Sequence, residues 1–518
     1  MLPMSSRVLA RALLAPLVLV PGLLAGLAAD PAAAAPRADP TSATGVEAAA
    51  RIARPHVLVV GIDGLRLDVA ERQRTPALHA LMARGQTWRT LLYAPPFSTT
   101  KSGPGWSTNL TGTWPDKHKI KDNDWGASGD VADHPDVLTR VERARPELST
   151  YAAAGWPDLT SGGPDRPVIS SAVDTRVSYD GDADGWTGTD ARVADAAVTH
   201  LRGPHPDASF VYFGAVDEAG HECGAAHACY ADAIRRTDAH LGRLMRVVAE
   251  RRARGETWTV LLTTDHGHKD AGGHGGVSPH ERASFLTMDG AGAYPGQVSG
   301  DDSPVRNVDL VPTVLRQLGV PAPADLDGRP LTAPDPDPFD ALTATVAGGA
   351  THEAPPGWDV DDAAMGTGGD ARWRGWAFTG DARWSAAQRY QGRGGNVRER
   401  GTFAVADSDE WADAPHTGRF DSTLRSPSYD VGGHASAVVR FASHYKGHAD
   451  QAGQLAVSFD GGPAQVVRTW RASRPHTIEH VPVAVPAGAE RMSVQWRLTG
   501  AANGWYWAVD EPSVTPTG

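Results

Sequence analysis

Two cysteines, Cys223 and Cys229, are all that 518 residues contain. One disulfide is therefore the most that sulfur can contribute to the fold, and a lone CxxxxxC pair is weak ground for a thiolate metal site. Positive charge is also short: 49 Lys and Arg against 61 Asp and Glu leave a formal net charge of −12. That excludes the basic face needed to bind duplex nucleic acid, although a nucleotide remains open as a substrate. Beyond the first 35 residues no apolar run is long enough to span a bilayer, and no repeat of 20 to 50 residues is evident.

The exception is the start of the chain. Arg7 and Arg11 precede an apolar run from Leu13 to Ala28, followed by small residues through Ala35. Pro21, Gly22 and Gly26 interrupt the run, which is short of the roughly 20 residues a span requires. Residues 1–35 are expected to be a secretory signal peptide, cleaved between Ala29 and Ala35, with a polar lead-in at 36–54. The product is expected to be secreted and soluble, and in that setting the cysteine pair reads as a disulfide closing a small loop. The length makes two domains the default.

What the sequence does contain is a set of apolar stretches that stop at carboxylates. His56-Val-Leu-Val-Val-Gly-Ile62 ends at Asp63, Ala208-Ser-Phe-Val-Tyr-Phe-Gly-Ala-Val216 at Asp217, and Trp258-Thr-Val-Leu-Leu-Thr263 runs into Asp265-His266. These runs have strand length and alternate with helical patterns. One pattern puts Leu78, Leu81 and Met82 on one face, a second runs from about Cys229 to Arg252, and a third lies between Val305 and Leu318. The alternation predicts an α/β fold with helices on both faces of a sheet. Ligands bind such sheets at the carboxyl ends of strands. Three aspartates there, joined by His221, His266 and the glycine-flanked His274, form a donor set for two divalent metal ions. A crowd of unpaired buried carboxylates would otherwise be costly.

These blocks resemble a known family. VLVVGIDG, the Lys101-Ser102-Gly103-Pro104 loop with Thr111-Gly112 and Trp114-Pro115 after it, DEAGH and TTDHG occur in the order seen in the alkaline phosphatase superfamily. The likeness is to its nucleotide pyrophosphatase/phosphodiesterase branch and spans roughly residues 55–320. It implies an alkaline-phosphatase-like catalytic domain that holds two divalent ions, zinc by default. Asp217, His221 and His274 would hold one ion, and Asp63, Asp265 and His266 the other, with Ser102 as the nucleophile bound to the second. His280 is a rival to His274, and His268 is expected to face solvent. Asn123, in KIKDNDW, and the Gly103 N–H are expected to bind phosphate oxygens. The implied activity is secreted hydrolysis of a small-molecule phosphoester, with a phosphodiester as the leading substrate, through a phosphoserine. A phosphomonoesterase is the alternative. A sulfatase, whose signature needs an arginine where Trp106 stands, and a binding protein built on an inactive domain are lesser ones.

Gly105 and Trp106 stand where that branch usually has an Asn-His pair. Gly103 and Gly105 are expected to open space for a second substituent, with Trp106 or Trp125 stacking on it. Arg140, Arg143, Arg166 and Arg176 are the arginines that could instead grip a monoester dianion.

Near residue 345 the composition changes. A catalytic domain at 55–344, a linker at 345–356 and an all-β, jelly-roll-like sandwich at 357–518 are expected from the short alternating strands and turn signals of the last part. Its tryptophans are core residues by default. Gly504-Trp-Tyr-Trp507 is the stretch where an exposed patch for an extracellular glycan or surface ligand is open.

Overall fold

The computed structural model describes residues 54–162, 167–203, 206–334, 336–387, 391–396 and 398–518. The signal segment and lead-in lie outside the described residues. The first part is a seven-stranded sheet in the order β2-β7-β6-β1-β5-β3-β4. Its strands are β1 (Pro55–Ile62), β2 (Gln86–Leu91), β3 (Thr150–Ala154), β4 (Thr175–Ser178), β5 (Ala208–Phe213), β6 (Thr257–Thr263) and β7 (Ala283–Asp289). β6, β1, β5, β3 and β4 are parallel neighbours, and β7 is antiparallel to both β6 and β2.

β1 is buried along almost its whole length, as its unbroken apolar run requires of a central parallel strand. Its side chains alternate between two cores. Leu58, Val60 and Ile62 join one, with Leu241, Leu244 and Val248 from the helix Ala228–Arg252. Val57 and Val59 join the other, with Trp106 and Leu110 from the helix Ser102–Thr111 and Val311, Val314 and Leu315 from Leu310–Gln317. The helix carrying Leu78, Leu81 and Met82 spans Pro76–Arg84 and buries all three.

The register sets up the site. Ile62 pairs with Phe213 and Gly61 with Thr263, so β6, β1 and β5 finish side by side in the middle of the sheet. Asp63, Asp217 and Asp265 all follow from that edge. Asp217 sits one turn into the helix Ala215–Cys223, whose far end is tied to the next helix by the Cys223–Cys229 disulfide.

The second part is built on two six-stranded antiparallel sheets, with Thr367–Gly368 and His416–Thr417 forming a small third one. One runs through Arg474–Ala484, Ser436–Tyr445, Tyr506–Thr517, Thr402–Asp407, Trp376–Gly380 and Ala350–Thr351. The other runs through Gln465–Trp470, Ala452–Phe459, Arg491–Ala501, Phe420–Arg425 and Asp359–Asp361, with Tyr429–Asp430 paired to Arg491–Ala501. The stretch read as a linker thus supplies Ala350–Thr351 to the first of these sheets. Trp376, Trp384, Trp411, Trp496 and Trp507 are fully buried in the core of this part. Tyr506 is buried too, and Trp505 is half-buried with the Lys446 ammonium 3.5 Å over its ring. Gly504–Trp507 is therefore not an exposed aromatic patch. Tyr506 and Trp507 point to opposite faces of the strand Tyr506–Thr517, and both faces are covered, by Trp384 on one side and by Trp376 and Trp470 on the other.

Buried ion pairs join the two parts. Arg282 in the first donates to Asp381 in the second at 2.6 Å, and Arg306 Nη2 to the Glu399 carbonyl at 2.9 Å. In return, Arg400 of the second part places Nη1 2.9 Å from both oxygens of Asp309 in the first. Among the described residues no helix is long and apolar enough to cross a membrane.

Candidate metal centre and nucleophile

Ser102 is the first residue of its helix, after Lys101 in extended conformation. Its Oγ points back to the sheet edge, 3.4 Å from Asp63 Oδ1 and 3.2 Å from His266 Nε2. His266 Nε2 is also 3.1 Å from Asp265 Oδ2 and 3.6 Å from Asp63 Oδ1. Four donor atoms thus stand 3.1–3.6 Å apart where measured. Ligands about 2.0–2.1 Å from one tetrahedral cation are separated by about 3.3 Å, so the spacing fits.

Hydrogen bonds outside the cluster aim these donors. Tyr212 and Trp106 both donate to Asp63 Oδ2, at 2.6 and 2.8 Å, and turn Oδ1 inward. The Gly64 amide donates to Asp265 Oδ1 at 3.1 Å. Asp265 Oδ2 is buried without a hydrogen-bond partner. The His266 Nδ1 faces the Gly267 carbonyl at 3.2 Å, which fixes its proton there and leaves the Nε2 lone pair facing the carboxylates.

Electrostatics agree with a missing positive charge. Burial, then the charges of Asp265 and Asp217, raise the Asp63 carboxyl well above its ordinary value. Burial, then Asp217, pushes Asp265 up to about 8. Burial keeps the His266 imidazole neutral by holding its pKa well below the usual value, with nearby His274 adding to the effect. Buried carboxylates that resist ionisation beside a neutral imidazole are a donor set that a divalent cation would satisfy.

The second set lies beside the first. His221 Nε2 is 3.3 Å from Asp217 Oδ2 and 2.9 Å from His274 Nε2. His274 Nδ1 meets the Thr100 carbonyl at 2.8 Å, so its Nε2 again carries a lone pair, directed at His221 and at Asp217 Oδ1 3.6 Å away. Two imidazole nitrogens converging on a carboxylate need a cation or a proton between them. Burial pushes Asp217 up, but hydrogen bonds from His221 and His268, with His266 close by, outweigh it and hold it well below the ordinary carboxylate value. Asp63, Asp265 and His266 place ligand atoms within 4.8 Å of one another, and so do Asp217, His266, His268 and His274. The six side chains expected from the sequence lie together here, with His268 inside the second group and His221 at its edge. His280, the rival to His274, is half exposed and lies 3.5 Å from Asp270 instead.

Several expectations are corrected. His268 does not face solvent: it is fully buried, with Nε2 2.6 Å from Asp217 Oδ1. Its separation from His266 by one residue in extended chain, which puts both on one side, was the available signal. Trp106 is fully buried and spends its N–H on Asp63, and Trp125 is buried edge-on against Trp156, so neither offers a stacking face. Gly103 and Gly105 open no space. A Cβ would lie 2.5 Å from the Asp122 carbonyl at Gly103 and 2.8 Å from Asp265 Cβ at Gly105, so both permit close packing of the helix start. The Gly103 N–H is already donated to Asn123 Oδ1 at 2.8 Å. Asn123 is otherwise exposed, and this bond leaves its Nδ2 directed elsewhere. Arg140 is held by Asp325, and Arg176 by the carbonyls of Thr160 and Ile169. Arg143 is exposed at the end of Val137–Ala144, and Arg166 lies outside the described residues. Tyr212 and Thr100 are functional residues that sequence reasoning missed, since both act through contacts set by tertiary register.

A mixed sheet whose central parallel strands deliver this Asp/His set opposite a helix-start serine is an alkaline-phosphatase-like arrangement. Residues 57–281 match the family described as type I phosphodiesterase / nucleotide pyrophosphatase, so this part of the chain is similar to that family. A curated relative, GPI ethanolamine phosphate transferase 2 of Schizosaccharomyces pombe, is 27% identical over 142 residues. That stretch covers 24% of this chain and 18% of the transferase. Among solved structures, murine ectonucleotide pyrophosphatase / phosphodiesterase 5 aligns with 15% identity and a TM-score of 0.39, over 52% of this chain and 96% of its own. The phosphonate monoester hydrolase of Silicibacter pomeroyi aligns with 14% identity and a TM-score of 0.41, over 72% and 87%.

Proposed function

We propose that the protein is an exported phosphodiesterase that works through a phosphoserine at Ser102 with two zinc ions. The carrying observation is the Ser102 hydroxyl, 7% exposed and within 3.4 Å of both Asp63 and His266 at the start of a helix. Asp63, Asp265, His266 and Ser102 would hold one ion, and Asp217, His221 and His274 the other. When bound, the ions would favour the ionised serine and water and neutralise charge on the phosphoryl oxygens. Ser102 Oγ would attack phosphorus in line with the departing ester oxygen. The serine proton passes to solvent water, and the leaving alcohol takes one back from it. Water then splits the phosphoserine and restores the hydroxyl. Asn123 Nδ2, steadied by the bond from Gly103 to its Oδ1, would donate to a non-bridging oxygen. Export is supported by the signal-like start of the chain and by the disulfide between Cys223 and Cys229.

Diester preference is supported by the neutral amide of Asn123 and by the engagement of Arg140 and Arg176 elsewhere, which leaves a dianion without a bidentate partner from either. The test is kcat/KM for an aryl phosphodiester against the matching aryl phosphate. At least about a tenfold advantage for the diester is expected, a difference of about 1.4 kcal/mol in transition-state binding. A monoester advantage would make the protein a phosphatase.

Elemental analysis of protein purified without chelator is expected to find close to two zinc ions per chain, and a strong chelator to abolish turnover. Full activity in metal-free protein would end the proposal.

A further inference from the structure

His268 is fully buried, as His266 is, and lies deeper than His221 and His274. The turn after β1 and the helix carrying Asp217 and His221 both press on its ring. At Gly64, which has φ +63°, a Cβ would lie 2.9 Å from His268 Cδ2. At Gly220 it would lie 2.6–2.7 Å from Nε2, Cδ2 and Cε1. Two glycines are thus required where this imidazole fits. Further bonds anchor the slot: Tyr230 donates to the Gly64 carbonyl at 2.6 Å and accepts from the Arg66 amide at 2.9 Å, while Arg66 Nη1 donates to the His268 carbonyl at 3.3 Å. A slot this dry would suit an apolar side chain, so the imidazole is there for its polar atoms.

Those atoms define its role. An ionised carboxylate only accepts, so in the 2.6 Å contact with Asp217 Oδ1 the Nε2 carries the proton. His268 Nδ1 is buried without a hydrogen-bond partner, and a proton there would go unsatisfied, which selects the same tautomer. A protonated nitrogen is no ligand.

We propose that His268 is a positioning residue: its Nε2–H holds Asp217 Oδ1 and leaves Oδ2 facing His221 3.3 Å away, strengthening the Asp217/His221/His274 site alone. This rests on the two-cation reading above. Direct ligation by His268 is the competing arrangement.

The test is calorimetric titration of chelator-stripped protein with Zn²⁺, alongside near-ultraviolet circular dichroism to verify folding. His268→Met fills the slot without a donor, and His268→Leu does the same should the first not fold. Either is expected to weaken one of two binding events by about 10–100-fold and leave the other within about twofold. His268→Gln, which returns an N–H near the position of Nε2, is expected to restore that event to within about fivefold of wild type. Unchanged binding in the donor-less variants overturns the proposal, as does equal weakening of both events. A glutamine variant as weak as the methionine one also overturns it, in favour of direct ligation. Wild-type protein that binds no zinc refutes the two-cation reading itself, and the role of His268 with it.

Discussion

Ser102→Ala is expected to lower kcat/KM toward an aryl phosphodiester by about 10³–10⁶-fold, the scale on which losing a covalent nucleophile is felt. Structure and zinc content should survive. The Ser102 Oγ makes its hydrogen-bond contacts with Asp63 and His266, not with the backbone of its helix. The Gly105 amide still closes on the Lys101 carbonyl, and the Tyr93 hydroxyl still donates to the Pro104 carbonyl. Three protein ligands of that cation also remain. Turnover within tenfold of wild type, in a variant with normal circular dichroism and metal content, would take Ser102 out of the chemistry.

The second large effect falls on stability. Asp309 is 1% exposed and accepts from the amides of Arg306 and Arg329, both at 2.8 Å, and twice from Arg400. Asp309→Ala strands these donors in a dry junction, although Arg400 keeps the carbonyls of Pro304 and Asp327. Removing one member of a buried ion pair costs about 3–5 kcal/mol, and that loss is expected in urea unfolding. Asp309→Asn retains one acceptor and should cost about 1–3 kcal/mol. A change below about 0.5 kcal/mol for the alanine variant would mean that the junction contributes little.

The strand-end aspartates were legible because a parallel strand buried on both faces leaves an unbroken apolar run, so the residue where that run breaks is conspicuous. Asp63 and Asp265 needed nothing more. His221 entered through the likeness of DEAGH, and the structure places it one turn after Asp217 on the helix Ala215–Cys223. His268 was misread because polarity was taken for exposure, when only the approach of Gly64 and Gly220 makes its slot. The grip of Trp106 and Tyr212 on Asp63 depends on the pairing of Gly61 with Tyr212 across β1 and β5, two segments about 150 residues apart. Local pattern carries no trace of such pairings. The arginines joining the two parts were opaque for the same reason: each reads as an ordinary surface charge until its partner, about 90–100 residues away, is placed.

Glu281 closes the histidine-bearing loop by taking the Gly276 amide and capping with Ser278, and the very next residue, Arg282, is clasped by Asp381 in the antiparallel part. A protein engineer who swaps in a foreign C-terminal half would therefore disturb the catalytic loop through its immediate neighbour. Any workable chimera of this chain must inherit Arg282 and Asp381 from the same parent.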